Sequence, residues 1–254
     1  MTDNRNRVIN LASNENCLGP SPLAVKAIHE AAAKANRYPN SSGYDLRSAL
    51  AQHLRVAPDC IVLGNGSTEL MEIIARSTLL PSHSMITAKQ TFLMYRLAAH
   101  SINVSCIEIP NRDYGYDLTA ILDAVSENTR LIVIANPNNP TGMMLTKTDL
   151  DAFLAQIPSE VLVVLDEAYC EYVESEDYPD GLAYRNEFQN VIILRTFSKI
   201  YGLAGLRIGY AVATETAAAQ LDRVRAPYNT NLIAQAAALA ALRDVEHVER
   251  SKRF

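Results

Sequence analysis

The sequence predicts an α/β domain of three layers, with helices on both faces of a seven-stranded, mainly parallel sheet. Three observations carry this. Short apolar runs alternate with longer stretches of helical period, the pattern of successive βα units. Most of the runs are apolar throughout, as strands covered on both sides are. The composition, 254 residues with 48% hydrophobic and 20% charged, is that of an ordinary globular chain, enough for one large domain or two small ones.

The elements follow in order. An entry segment to about Pro22 leads into helical periodicity over Pro22–Lys34 and, past a turn at Arg37–Gly43, over Leu46–Leu54. Ile61–Leu63 is the first strand, followed by a helix at Thr68–Thr78. Ser84–Thr87, helix Phe92–Ala99, Val104–Ile109 and helix Leu118–Val125 continue the alternation. Leu131–Ala135, helix Lys147–Gln156 and strand Val161–Leu165 come next. After a loop-rich insert at Glu174–Gly181, the strands Val191–Leu194 and Ile208–Val212 precede a helix at Ala217–Val224. Asn231–Phe254 reads as one long Ala-rich helical pattern with no Gly or Pro stop signal, so the chain is expected to end inside an element.

Several function classes are disfavoured at once. The net charge is −5 and no basic run stands out, which opposes the phosphate contacts that dominate nucleic-acid affinity. No stretch is apolar for long enough to span a bilayer and the N-terminus lacks a signal-like apolar core, so a cytoplasmic chain with no membrane partner is expected. Cys17, Cys60, Cys106 and Cys170 are scattered, and His29, His53, His83, His100 and His247 show no metal-ligand spacing, so no metal is expected. A small-molecule substrate remains.

Ligands in α/β sheets bind at the carboxyl ends of strands, and three segments stand there. Lys199 follows Val191–Leu194 in RTFSK. Alone, such a lysine is more often a solvated loop residue. Desolvation at a strand tip would instead lower its pKa and free the amine to condense with an aldehyde, and Ser198 and Arg207 supply a hydroxyl and a cation for a phosphate beside it. Asp166 is the first acid after Val161–Leu165; it suits either a helix cap or a carboxylate held against a protonated ring nitrogen, with Tyr169 three residues on. Asn136–Gly142, NPNNPTG, is a rigid turn after Leu131–Ala135 that would hold the Asn139 amide against an anionic oxygen. In a fourth segment, Gly64–Glu69, the glycine pattern is incomplete for a dinucleotide fingerprint, and no acid ends a second strand about 20 positions on. Ser67 and Thr68 at a helix start suit a single phosphate monoester better.

These residues, together with LASNENCLGPSP, NRYPNSSGYDLRSALA, GNGSTELMEIIAR, LDEAYCEY, RTFSKIYGLAGLRIGY and APYNTN, resemble the fold-type I pyridoxal-phosphate (PLP) enzymes of the class I/II aminotransferases. Within them the resemblance is strongest to the histidinol-phosphate aminotransferase branch, and it runs along nearly the whole chain. It implies the PLP-transferase (aspartate-aminotransferase) fold and PLP as the cofactor. Lys199 would be the covalent anchor and catalytic base, Asp166 the partner of the pyridine nitrogen, and Tyr169 and Asn139 the partners of the 3′-oxygen. Phe92 would stack on the ring. Ser67, Thr68, Ser198 and Arg207 would hold the phosphate, with Tyr38 reaching over from the other subunit of a homodimer. Asn14, Tyr228 and Asn229 would lie near the amino-acid substrate.

The implied reaction moves the amino group of histidinol phosphate to 2-oxoglutarate, a step of histidine biosynthesis. A different class I/II aminotransferase, a threonine-phosphate decarboxylase or a non-catalytic PLP-binding chain are the alternatives. The implied organisation is an entry segment and helix over 1–36, a PLP-binding large domain over 37–230, and from 231 to 254 the start of a long helix leading to a small C-terminal domain that the chain lacks.

Overall fold

The structure is a computed structural model that describes residues 11–254, so the first ten residues of the expected entry segment lie outside it. Seven strands form one mixed sheet: β1 (Ile61–Gly64), β2 (Ser84–Ala88), β3 (Ser105–Ile109), β4 (Thr129–Ala135), β5 (Leu162–Asp166), β6 (Val191–Thr196) and β7 (Gly209–Val212). The spatial order is β1-β7-β6-β5-β4-β2-β3. Pairings among β2 to β6 are parallel, whereas β7 runs antiparallel to both β1 and β6. Because β7 is reversed, its first residues lie at the same edge of the sheet as the last residues of its neighbours: Gly209 pairs with Thr196 on one side and with Gly64 on the other.

Alternate strand residues point to opposite faces, which divides the core in two. Ile61, Leu63, Ile132, Ile134, Val163, Leu165, Ile193 and Val212 belong to one apolar cluster, and Val62, Leu131, Val133, Val164, Ile192, Leu194 and Ala211 to the other. The second is covered by α3 (Gly66–Thr78), α4 (Met94–Ser101) and α8 (Glu215–Val224), whose Leu70, Ile73, Ile74, Tyr95, Ala98 and Leu221 are buried there. On the other face lie α1 (Pro22–Ala32), α2 (Tyr44–Leu54), α5 (Leu118–Asp123), α6 (Lys147–Leu154), α7 (Gly181–Glu187) and α9 (Leu232–Ala241), with residues such as Leu50, Ile121, Phe153 and Ala237 in the first cluster. This is the expected three-layer architecture. α6 starts in a reciprocal capping box, Thr146 with Asp149, the type of cap whose loss costs about 1 kcal/mol.

Three differences from the sequence expectation have local causes. α7 is not among the expected helices; Asp180 caps it by accepting from the Leu182 N–H at 3.0 Å, and Tyr184 buries its ring. The single long C-terminal helix is instead α9 and α10 (Val245–Arg253), because Asp244 accepts from the His247 N–H and starts a new helix. α4 begins at Met94 and not at Phe92, which leaves Phe92 in the loop after β2. Among the described residues, no helix is long and apolar enough to cross a membrane.

Candidate active site

A cavity of about 220 Å³ opens at the carboxyl edge of β4, β5 and β6. Lys199 is set into it by its neighbours: Phe197, Ile200 and Tyr201 are buried and pin the loop after β6 on both sides of the lysine. Its Nζ donates to the Ser13 carbonyl at 2.8 Å and lies 5.5 Å from the centre of the Tyr169 ring. Burial lowers the amine below the ordinary lysine range and the Arg207 charge adds to this; Glu15 and Asp166 act in the opposite sense.

Asp166, the last residue of β5, is buried on the cavity wall. Its Oδ2 accepts from the Tyr95 hydroxyl at 2.7 Å and its Oδ1 from the Ala168 N–H at 3.1 Å. Burial raises the carboxyl above the ordinary range, while the Tyr95 and Ala168 hydrogen bonds and the Lys199 charge hold it back. No cation stands within ion-pair distance of it among the described residues, so the wall presents a desolvated carboxylate able to take an N–H from a ligand.

On the adjoining side the first turn of α3 carries Ser67 and Thr68. Its N-cap, Asn65, makes no side-chain cap, and the Asn65 N–H is taken by Glu69 at 2.6 Å. The helix start thus points uncapped N–H groups and a positive dipole end at the cavity. Arg207 lies against this start. Its Nη1 donates to the Ala204 carbonyl at 3.0 Å and, at 3.4 Å, to Ser198 Oγ. A Cβ on Gly66 would come within 2.2 Å of the Arg207 Nη2, and Gly66 has φ +80°, so only glycine leaves room for this cradle. Backbone donors, three hydroxyls and a guanidinium around one space form a site for a dianionic phosphate.

The NPNNPTG turn divides its labour. Asn136 is bonded to Leu145 through both amide atoms, and Asn138 accepts from Thr91 and donates to the Gln90 carbonyl and Thr141. With its neighbours holding the turn, Asn139 makes no such bond among the described residues and lines the cavity. Tyr169 lines it too, its hydroxyl accepting from the Asn14 amide at 3.0 Å. Phe92 stands edge-on to Tyr95 with ring centres 5.6 Å apart.

The cavity therefore brings together Lys199, Asp166, Tyr169, Asn139, Ser67, Thr68, Phe92, Ser198 and Arg207. The remaining four, Tyr38, Asn14, Tyr228 and Asn229, are not among the residues that line it, although Asn14 lines the grooves beside it. Tyr38 is 81% exposed and packs on Tyr228, centres 4.7 Å apart, away from the cavity. Asn229 is locked between the Glu69 carboxylate at 2.6 Å, the Leu63 carbonyl and Arg225, with no amide atom left over for a ligand. Tyr95, Ser13 and Glu15 line the cavity without having been singled out in the sequence. Tyr95 carried a weak signal, a tyrosine three residues after Phe92 on the same helical face; Ser13 acts through its carbonyl and left none. Among the described residues no cluster of His, Cys, Asp and Glu could hold a metal ion.

The sequence pattern of the family "Aminotransferase class I and II" matches residues 6–253. The chain belongs to this aminotransferase family. Two curated relatives illustrate its neighbourhood there. A histidinol-phosphate aminotransferase of Anaeromyxobacter sp. is 50% identical over 246 residues, 96% of this chain and 68% of the relative. One of Moorella thermoacetica is 49% identical over 96% of this chain and 64% of the relative. The crystal structure of histidinol-phosphate aminotransferase from Sinorhizobium meliloti in complex with pyridoxal-5′-phosphate superposes with a TM-score of 0.90 at 34% identity, covering 95% of this chain and 66% of that one. This aminotransferase chain thus spans about two thirds of the length of the relatives it matches.

Proposed function

We propose that the protein is a PLP-dependent aminotransferase that acts as a cytoplasmic homodimer, with histidinol phosphate as amino donor and a 2-oxo acid such as 2-oxoglutarate as acceptor. The observation that carries the chemistry is the half-buried Lys199 amine in one cavity with the desolvated Asp166 carboxylate and the Gly66–Arg207 cradle. The choice of donor rests on relatives of about half-identical sequence.

The residues fit PLP group by group. Ser67, Thr68, Ser198, Arg207 and the start of α3 would hold the phosphate. Asp166 would take the pyridine N–H, Asn139 and Tyr169 the 3′-oxygen, and Phe92 a face of the ring. Bound there, PLP supplies an aldehyde for amines and a ring that accepts the electron pair left at a substrate carbon. Asp166 keeps that ring protonated: a buried carboxylate gains most from a partner with a positive charge. Lys199, its amine made less basic by burial, would be the covalent anchor for that aldehyde and the base that takes the proton from the substrate Cα. The Ser13 carbonyl holds that amine in place. Exposed Tyr38 would complete the phosphate site of a second subunit, and Asn14, beside Tyr169, would meet the substrate.

The test is covalent. Borohydride reduction of the PLP-loaded chain should leave a phosphopyridoxyl mass on the peptide that contains Lys199, and Lys199→Ala should leave none on any peptide. Amino transfer is then scored as glutamate formed from histidinol phosphate and 2-oxoglutarate. A tag on a different lysine would overturn the assignment, and carbon dioxide release from a phosphorylated amino acid would redirect it to a decarboxylase.

A further inference from the structure

The entry segment brings one charged side chain to the cavity that the roles above leave unused. Glu15 lines the cavity and also the groove that adjoins it, about 660 Å³, formed by Leu11, Asn14, Asn16, Cys17, Gly202 and their neighbours. Its carboxylate is exposed and makes no hydrogen bond or ion pair with a described residue; it acts on Lys199 only through space. The strap that carries it is not loose. Ser13 receives the Lys199 amine, Asn14 donates to Tyr169, and Asn16 donates to the Ile200 carbonyl at 2.7 Å and to Ser251 Oγ at 2.9 Å. Glu15 is thus held between the reacting amine and the groove.

Among the described residues, the other charged and titratable groups around it are Lys199 and Arg207, Asp166 and the Tyr95 phenol on the far wall, the Tyr169 phenol and, in the groove, the Cys17 thiol. Glu15 is the one formal charge among the described residues lining the groove. A group that extends there from the amine meets a single formally charged acceptor among the described residues, which favours a nitrogen donor over an apolar ring or a carboxylate.

We propose that Glu15 is a specificity residue, whose carboxylate accepts a hydrogen bond from a nitrogen heterocycle on the side chain of the amino donor. This deepens the proposed function, on which it rests for the imidazole of the donor.

The test uses the PLP-loaded protein and two phosphorylated amino alcohols of similar size, histidinol phosphate and phenylalaninol phosphate, with binding measured by titration calorimetry at pH 6 and pH 8. Wild type should prefer the imidazole ligand, more so at pH 6, where a ring of ordinary pKa near 6.5 is largely cationic. In Glu15→Gln the ratio of the two affinities should fall about five- to tenfold, the usual scale for a hydrogen bond to a partly exposed charged group, and the pH 6 advantage should disappear. Glu15→Lys should invert the pH trend. An unchanged ratio in Glu15→Gln overturns the inference, as does equal weakening of both ligands. Amino transfer from histidinol phosphate with an unchanged ratio sinks this inference alone; a Glu15-dependent preference without transfer supports it and sinks the proposed reaction. Binding of neither ligand refutes both.

Discussion

Replacing Tyr95 with Phe removes one hydroxyl from a buried site and leaves the ring in place. In the structure that hydroxyl donates to Asp166 Oδ2 at 2.7 Å, the length of a charge-assisted bond. Such a bond to an ionised group contributes about 1.5–3 kcal/mol, and one pKa unit corresponds to about 1.4 kcal/mol. The Asp166 carboxyl is already raised by burial, with Tyr95 the largest influence holding it down. Its loss should therefore move the Asp166 titration upward by roughly one to two pH units. Asp166 must be ionised to hold a protonated ring, so the acid limb of PLP binding, followed by visible absorbance, should move up by that amount. The sign for the cofactor-free protein follows from the same shift. A carboxyl raised on folding favours the fold while protonated, and that contribution is lost as pH rises from the ordinary carboxylate range through the raised value. Tyr95→Phe should extend this loss to higher pH, seen as a lower urea midpoint in neutral buffer with little change in acid. An acid limb that stays in place in a folded Tyr95→Phe protein would refute the reasoning.

Two further substitutions probe other parts of the frame. Gly66→Ala places a methyl group where the Arg207 guanidinium lies and adds about 1 kcal/mol of left-handed backbone strain; PLP should bind at least about tenfold more weakly in a fluorescence titration. Arg195 donates through Nε and Nη2 to one oxygen of Glu167, at 2.9 and 2.8 Å, and that carboxylate is almost fully buried. Arg195→Met strands it, at a cost of about 3–5 kcal/mol, which for a domain of this size lowers the melting temperature by on the order of 10 °C in calorimetry.

Much of the fold was legible because a buried parallel sheet writes itself as continuous apolar runs: every strand from Ile61 to Val212 lies within two residues of its expected bounds. The cavity positions of Asp166 and Lys199 were legible for a related reason, since Asp166 directly follows one such run and Lys199 lies in the loop five residues past the end of another. What was hidden depended on pairing across the chain. The reversal of β7 leaves no mark on its composition, since a short apolar strand reads the same in either direction. Tyr95 looked like one more buried residue of a helix, because its partner Asp166 is 71 positions away. Asn229 reads in the sequence like a ligand contact, and nothing there shows that its amide is bonded to Glu69, 160 positions away. Asp180 and Asp244 were missed as helix starts because a short cap followed by few apolar residues is a weak signal beside loop-rich neighbours.

The reversed β7 also bears on the order in which the molecule can assemble. β1 enters the sheet only by pairing with β7, Ile61 beside Val212, so the first strand in the sequence waits for the last. Contacts so distant along the chain are slow to close. Ser67 and Thr68 follow β1 directly, whereas Lys199 and Arg207 belong to the loop between β6 and β7. The two halves of the phosphate cradle therefore meet only when that final strand inserts, and cofactor capture in a refolding experiment would time the completion of the sheet.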